Sequence, residues 1–520
     1  MSVLKFIFFC GALAITSEAV RILAVFPIAS ISHQIVFRPV TQALARRGHE
    51  VIVITPDPAF PKGQTPPNLR EIDVHDVLYK YMGGIFVKTV PKGRKSDLVN
   101  QIDILQRMTI NYIQEILQNQ EVKDIINDKN QTFDLLILEA CVKPALIFKH
   151  LYDAPVVQFS SFGALAKMYE SLGAPEHPLL YPLSMNLRLN NLTIWEKIHE
   201  LYHYYQITQV FKQHDREIDA AFNQIYEKDI MPVNELEKKV EMIFFNIHPV
   251  FEGMRPVPPT VKYVAGLHQN PPKALPKDLQ DYLDSSKNGV IYFSFGTNVD
   301  PTLFPKEKIQ MFINVLSRLP YEVLWKWNAD DLPGRGDNIK ISKWLPQSDI
   351  LRHPKVKVFI TQGGLQSTDE AITAGVPLIG MPMLADQWFN VERYVYHKIG
   401  LALDYETFTE EKLENALLTV INDDSYRKNI IKVRSWIKDE PETSIERSIW
   451  WLEYVIRHGG AKHLRSPSAD VTWAEYLVLD VVFILLVAFV IVASLCGTVT
   501  YYLFRHLRSY VISFVKIKIA

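Results

Sequence analysis

Cysteine is nearly absent, with three in 520 residues. Cys10 lies in an apolar run at the N-terminus and Cys496 in another near the C-terminus, which leaves Cys141 alone between them. An intramolecular disulfide in the central part is thereby excluded, as is a zinc site built on cysteines. A chain this long can bury a core that needs no such staples. Neither sign of charge is in excess: 56 Lys and Arg stand against 57 Asp and Glu. That balance argues against nucleic acid as a partner. Internal repeats and low-complexity tracts are also lacking. So is a dinucleotide fingerprint, because Gly334-Arg335-Gly336 has no third glycine and does not follow the first strand. A dinucleotide oxidoreductase is disfavoured on that ground.

What is there begins with two apolar segments. Lys5 precedes the short run Phe6 to Ile15, and Ser17-Glu18-Ala19 offers small residues for cleavage. This predicts a signal peptide over residues 1–19. Val481 to Phe504 carries no charge and is long enough to span a bilayer as a helix. Asp470, Glu475 and Asp480 precede it, and Arg505, Arg508, Lys516 and Lys518 follow. The positive-inside rule puts the tail 505–520 in the cytosol. The expectation is a single-pass type I membrane protein with a juxtamembrane stretch over 467–480 and nearly all its mass in a lumen.

Between these segments, strand and helix patterns alternate. Residues 21–26 read as a buried strand, Val36 to Arg47 as a helix and Val51 to Ile54 as the next strand, the start of a parallel sheet. Strands are also predicted at Phe133 to Leu138 and Val156 to Ser160. A long helix over 195–228 would cap the domain or line a pocket. Seven prolines between 249 and 276 then read as an interdomain linker. The pattern restarts with strands at Val290 to Phe295, Val323 to Trp327, Val356 to Thr361 and Pro377 to Met381. The fold class is therefore α/β, with two doubly wound domains over 20–255 and 286–466 joined by 256–285. Ligands bind such sheets at the carboxyl ends of the strands.

The densest chemistry runs from Trp344 to Asn390. Trp344-Leu345-Pro346-Gln347 is followed by His353-Pro354, then by Phe359 to Gly364, Ser367, Glu370, Gly375-Val376-Pro377 and Asp386-Gln387. Gly363 and Gly364 sit between a strand and a helix, where backbone N–H groups and the helix N-terminus can receive an anion. A Gly-Gly pair alone is more often a plain tight turn. The spacing of the whole block decides otherwise, because it resembles the signature of the UDP-glycosyltransferase family. The resemblance covers almost the full chain, including Trp451 to Ser466 and the terminal anchor, and invertebrate members look most similar.

That resemblance implies a GT-B fold, with two facing Rossmann-like domains, and an inverting, metal-independent transfer of a hexose. UDP-sugar would be a co-substrate, with no cofactor. Trp344 would stack on uracil, Gln347 would bind uracil or ribose, and Glu370 would accept from the ribose hydroxyls. Gln362, Gly364 and Ser367 would hold the diphosphate with Gly296 and Thr297, and Asp386 and Gln387 would hold the sugar. Many relatives carry His in place of Gln362, which leaves its phosphate contact the least secure. His33 would be the general base, oriented by Glu139 where the family has Asp. The chain has no Asp-x-Asp, the motif of metal-dependent transferases, so no metal site is expected.

The partners implied are UDP-sugar, a small lipophilic acceptor walled by residues 75–115 and 160–228, and a membrane met through the C-terminal helix. The oligomeric state is left open, a homo-oligomer included. Asn246 stands near the place where glucuronosyl relatives carry an Arg, so UDP-glucose is expected over UDP-glucuronate. Lys516 and Lys518 resemble a dilysine retrieval signal of the endoplasmic reticulum, where conjugation and detoxification would take place. Asn130 and Asn191 open N-glycosylation sequons. A scaffold that binds hydrophobic ligands without turnover is a second reading, opposed by the intact His33, Glu370, Asp386 and Gln387.

Overall fold

The computed structural model describes residues 19–82, 93–226 and 230–519. The predicted signal peptide therefore lies, but for Ala19, outside the described residues. The strands β1 (Arg21–Val25), β2 (Glu50–Thr55), β3 (Leu69–Asp73), β4 (Leu135–Glu139), β5 (Val156–Ser160), β6 (Val240–Phe245) and β7 (Val261–Tyr263) form one parallel sheet, in the order β3-β2-β1-β4-β5-β6-β7. The central strands β1, β4 and β5 are almost continuously apolar because both faces are covered, whereas the edge strand β3 (LREID) carries charges. Ile22 and Ala24 of β1 enter one apolar cluster while Leu23 and Val25 enter another. A second parallel sheet holds β8 (Val290–Ser294), β9 (Glu322–Lys326), β10 (Ile339–Ser342), β11 (Val356–Thr361), β12 (Leu378–Gly380) and β13 (Gly400–Ala402), in the order β10-β9-β8-β11-β12-β13.

Each sheet starts in its middle, grows to one edge, then returns to grow to the other. The order reverses between β1 and β4 in the first sheet and between β8 and β11 in the second. Such switch points open a crevice at the carboxyl ends of the strands. Ser30 to His33 follow β1, and Glu139 ends β4. Gly296 and Thr297 follow β8, and Gln362 to Gly364 follow β11.

Three readings of the sequence need correction. The first helix spans Ile31–Arg46 and starts after Ser30 in extended geometry, so His33 lies in its first turn rather than ahead of a helix beginning at Val36. The polar run Ser32-His33-Gln34 hid that start. Next, the stretch 256–285 is not a plain linker, since it contains β7 of the first sheet and the helix Lys277–Ser285. Its prolines mark the turns around those elements. Finally, residues 286–466 are not one self-contained domain. The helix Ser444–His458 returns to the helix Ile31–Arg46. There Ile449, Leu452 and Val455 join the apolar cluster of the first sheet. Arg47 donates to Glu453 at 2.5 and 2.9 Å, and the backbone N–H of Ala461 donates to Glu241 at 2.7 Å. The segment 451–465 is thus largely a strap back onto the first domain.

The chain up to Arg465 is one compact unit, and Ser466 onward is another. The second unit holds a single helix, Leu479–Ile519, long and apolar enough to cross a membrane. The span predicted at 481–504 lies inside it, and the helix continues without a break into the tail.

Candidate active site

A cavity of about 560 Å³ opens at the carboxyl ends of both sheets and is lined from both domains. On the first-domain side its wall is largely apolar, with Met82, Ile102, Leu105, Met108, Phe162 and Leu165 among the lining residues beside the polar Arg38, Gln106 and Thr109. The helix Leu98–Gln118 supplies six of the lining residues, Ile102, Leu105, Gln106, Met108, Thr109 and Tyr112, most of them at helical spacing on one face. The expected acceptor walls are therefore partly in place, with residues 83–92 outside the described residues. The long helix Ile194–Tyr226 lines none of this cavity among the described residues and packs behind Leu98–Gln118 instead.

His33 stands in the same cavity. Its Nδ1 lies 2.6 Å from Glu139 Oε1 and 2.9 Å from Ser161 Oγ. Glu139 is fully buried below it and does not line the cavity. The other carboxylate oxygen of Glu139 accepts the backbone N–H of Ile28 at 3.2 Å, which fixes the group. A carboxylate on Nδ1 selects the tautomer with Nδ1–H and leaves Nε2 as a proton acceptor. Strand-end geometry explains the pairing: β1 and β4 are neighbours, so residues just past one and at the end of the other meet.

Across the cavity, Gly364 precedes the helix Leu365–Ala374, and its first turn exposes Gly364, Leu365, Gln366 and Ser367 to the cavity. Unpaired N–H groups there make an anion site. Gly363 has φ +93°, and a Cβ on it would sit 2.7 Å from Val391 Cγ2. Gly296 has φ +72°, and its Cβ would lie 2.5 Å from Gln362 Nε2. Both positions need glycine. Gln362 Oε1 is buried with no hydrogen-bond partner among the described residues.

Gln347 donates to Ser367 Oγ at 2.9 Å and to Glu370 Oε2 at 2.7 Å, and accepts from Tyr292 OH at 3.2 Å. Burial pushes the Glu370 carboxyl up to about 7, against the lowering effect of Gln347. Burial also raises Asp386 to about 6, with Asn390 Nδ2 at 2.9 Å and His33 pulling the other way. Asn390 in turn donates to the Gly363 carbonyl at 2.9 Å, tying Asp386 to the glycine turn. Gln387 accepts two backbone N–H groups, from Met383 and Leu384, and so has only its amide nitrogen left for a ligand. Trp344 is mostly exposed at the rim, its indole face open to a flat group. Thr297 also lines the cavity. Every residue expected at the donor site thus lines one space facing His33.

Comparison with known proteins agrees with this geometry. The family model described as "UDP-glucoronosyl and UDP-glucosyl transferase" matches residues 21–511. The chain belongs to this UDP-glycosyltransferase family. It is an enzyme, a glycosyltransferase of GT-B fold. An ecdysteroid UDP-glucosyltransferase of Spodoptera littoralis nuclear polyhedrosis virus is 34% identical over 91% of this chain and 95% of its own length. UDP-glucosyltransferase 2 of Dactylopius coccus is 30% identical over 94% and 93%. Human UDP-glucuronosyltransferase 2B15 is 29% identical over 92% of each chain. Among solved structures, a UDP-glucose:anthocyanidin 3-O-glucosyltransferase in complex with UDP superposes with a TM-score of 0.56 at 17% identity, over 84% of this chain and 99% of that one.

The residue from which the expected preference for UDP-glucose is drawn lies away from the site. Asn246 does not line the cavity: it is fully buried, donates to the Ser161 carbonyl at 3.1 Å and accepts from Leu267 N–H at 3.3 Å. It cannot read a sugar carboxylate from there. The residue missed in the sequence is Ser161, which has no local signature and is found only by its distance to His33. Asn390, four residues after Asp386 on one helix face, was within reach of spacing alone.

Proposed function

We propose that the chain transfers glucose from UDP-glucose to a hydroxyl of a small lipophilic acceptor, with inversion. The carrying observation is His33, held by Glu139 at 2.6 Å and standing between an apolar wall and the donor residues. In this reading His33 Nε2 takes the acceptor proton as the oxygen attacks the anomeric carbon. The bond from that carbon to the diphosphate breaks, and UDP leaves with the electron pair toward the N–H groups at Gly364 to Ser367. An α-linked donor gives a β-glycoside. Those donors, and the lack of Asp-x-Asp, support a reaction that needs no metal.

The choice of glucose rests on the glucosyltransferase activities of the viral and Dactylopius coccus relatives, since Asn246 lends it nothing. The ecdysteroid activity of the viral relatives supports a steroid-sized polycyclic acceptor, in keeping with the apolar wall. The helix Leu479–Ile519 supports membrane anchoring, and the basic residues after Phe504 support a lumenal catalytic unit in the endoplasmic reticulum. Asn130 and Asn191 are exposed, which suits glycosylation there. The test is UDP release by the full chain in microsomes, with UDP-glucose and UDP-glucuronate each offered alongside phenols, flavonoids and ecdysteroids. Faster release with UDP-glucuronate for every acceptor overturns the donor. No release above the acceptor-free rate with any pair overturns the transferase reading for these acceptors.

A further inference from the structure

We infer that Ser161 is a positioning residue for the base and that Gln366 connects it to the donor-binding helix across the domain boundary. This rests on the reading of His33 as general base. Ser161 directly follows β5 and is fully buried. Its hydroxyl oxygen lies 2.9 Å from His33 Nδ1, and its carbonyl receives two amide N–H groups. One comes from Asn246 of the first domain at 3.1 Å, and the other from Gln366 of the second at 3.0 Å. Gln366 is the second residue of the helix whose N-terminus forms the anion site, with Ser367 next to it. Its own carbonyl faces His268 Nε2 at 3.2 Å. Burial brings His268 down to about 4, so its ring is neutral and Nε2–H donates.

The proton count gives each group a task. Nδ1 carries one hydrogen, and the carboxylate at 2.6 Å is its stronger acceptor. Ser161 Oγ is the second, weaker acceptor of that N–H and fixes the plane of the ring about the axis that Glu139 leaves free. Phe162 meets the ring edge-on with centroids 5.9 Å apart, closing the other side. The ring's orientation thus depends on the backbone at Ser161, and that backbone is clamped from both domains. When the two domains are docked as here, Gln366 holds the carbonyl, the hydroxyl follows and Nε2 is aimed at the donor site. If the helix withdraws, one of the two clamps is lost and the base swings loose.

A double-mutant cycle on the full-length enzyme tests this. Ser161→Ala should lower kcat about ten-fold with the KM for UDP-glucose nearly unchanged, and Ser161→Thr, which keeps the oxygen, should recover most of it. Gln366→Leu should lower kcat several-fold while directly measured UDP-glucose binding stays intact. The decisive reading is the double variant, which should be no slower than Ser161→Ala alone, because Gln366 acts only through the serine oxygen. Multiplicative losses, a normal kcat in Ser161→Ala, or a Gln366→Leu variant that loses donor affinity each overturn the connection. Should Ser161→Ala fold poorly, Thr and Cys at this position carry the same comparison, with Cys behaving as Ala. His33→Ala separates the premise: if it keeps turnover, the base reading itself fails, whatever the cycle shows.

Discussion

At the scale of single residues, the pair His33 and Glu139 makes the site testable. His33→Ala should reduce turnover by about 10²–10⁴-fold while UDP-glucose still binds, because the donor contacts lie in the other domain. Glu139→Gln keeps an acceptor for Nδ1–H but removes the negative charge that steadies the imidazolium, so its loss should be smaller yet clear. Steady-state rates with binding measured separately check both, and an unaltered rate in either reassigns that residue. The second prediction concerns pH. Glu370 and Asp386, at about 7 and about 6, both lie above the ordinary carboxyl range. Between about pH 4 and pH 7 the folded chain therefore holds protons that the unfolded chain has released. Their contribution to stability is greatest at the acid end of that window and declines as pH rises through it. A carboxylate is also the better acceptor for a ribose diol, so affinity for UDP-glucose should rise from pH 6 to pH 8. Glu370→Gln should flatten that rise, as calorimetric titration across the range would show. Of these residues, the sequence revealed those held in a spaced motif, such as Gln347, Glu370 and Asp386. Ser161 and the true place of Asn246 were hidden because their partners lie 128 and 85 residues away.

At the scale of elements, glycine and the returning helix carry the predictions. Gly363→Ala puts a Cβ 2.7 Å from Val391 Cγ2 and 3.2 Å from the Gln387 carbonyl, at a φ that L-residues avoid. The turn must shift, and with it the N–H groups of the helix Leu365–Ala374. Donor affinity should fall several-fold, with a smaller change in melting temperature. Leu452→Ala is the opposite case. Leu452 is fully buried on the helix Ser444–His458 in the cluster under β1 and β4, and it does not line the cavity. Its loss should cost about 2–5 kcal/mol of stability in denaturant titration and leave kcat per folded molecule unchanged. β1, β2, β4, β5, β8, β9, β11 and β12 were readable in the sequence as short, mostly apolar runs, whereas β3, β6, β7 and β10, each interrupted by a charged residue, and the three-residue β13 were not. The return of Ser444–His458 was not, since an amphipathic helix shows that it has a buried face but not which sheet it covers. The prolines of 249–276 misled for a related reason: a turn before a three-residue edge strand and a linker use the same residues.

At the scale of the whole molecule, the issue is where the enzyme is kept. The helix Leu479–Ile519 has 41 residues, about 60 Å at 1.5 Å per residue, twice the thickness of a bilayer core. It must leave the hydrocarbon along its length, and the basic residues from Arg505 onward favour an exit into the cytosol. In that orientation Lys516 and Lys518, at the fifth and third places from the end, would be within reach of cytosolic coat proteins. If they act as a retrieval signal, Lys516→Ser with Lys518→Ser should let the protein escape to the Golgi or cell surface. Transfer activity should persist, because the catalytic unit ends before Ser466 and contains neither lysine. Net positive charge would still remain at Arg505 and Arg508, so the orientation should hold, and protease protection of the catalytic unit would check it. Imaging that shows unchanged reticulum retention, with that orientation intact, would remove the lysines as the sole signal and move retention to the span or to a lumenal contact.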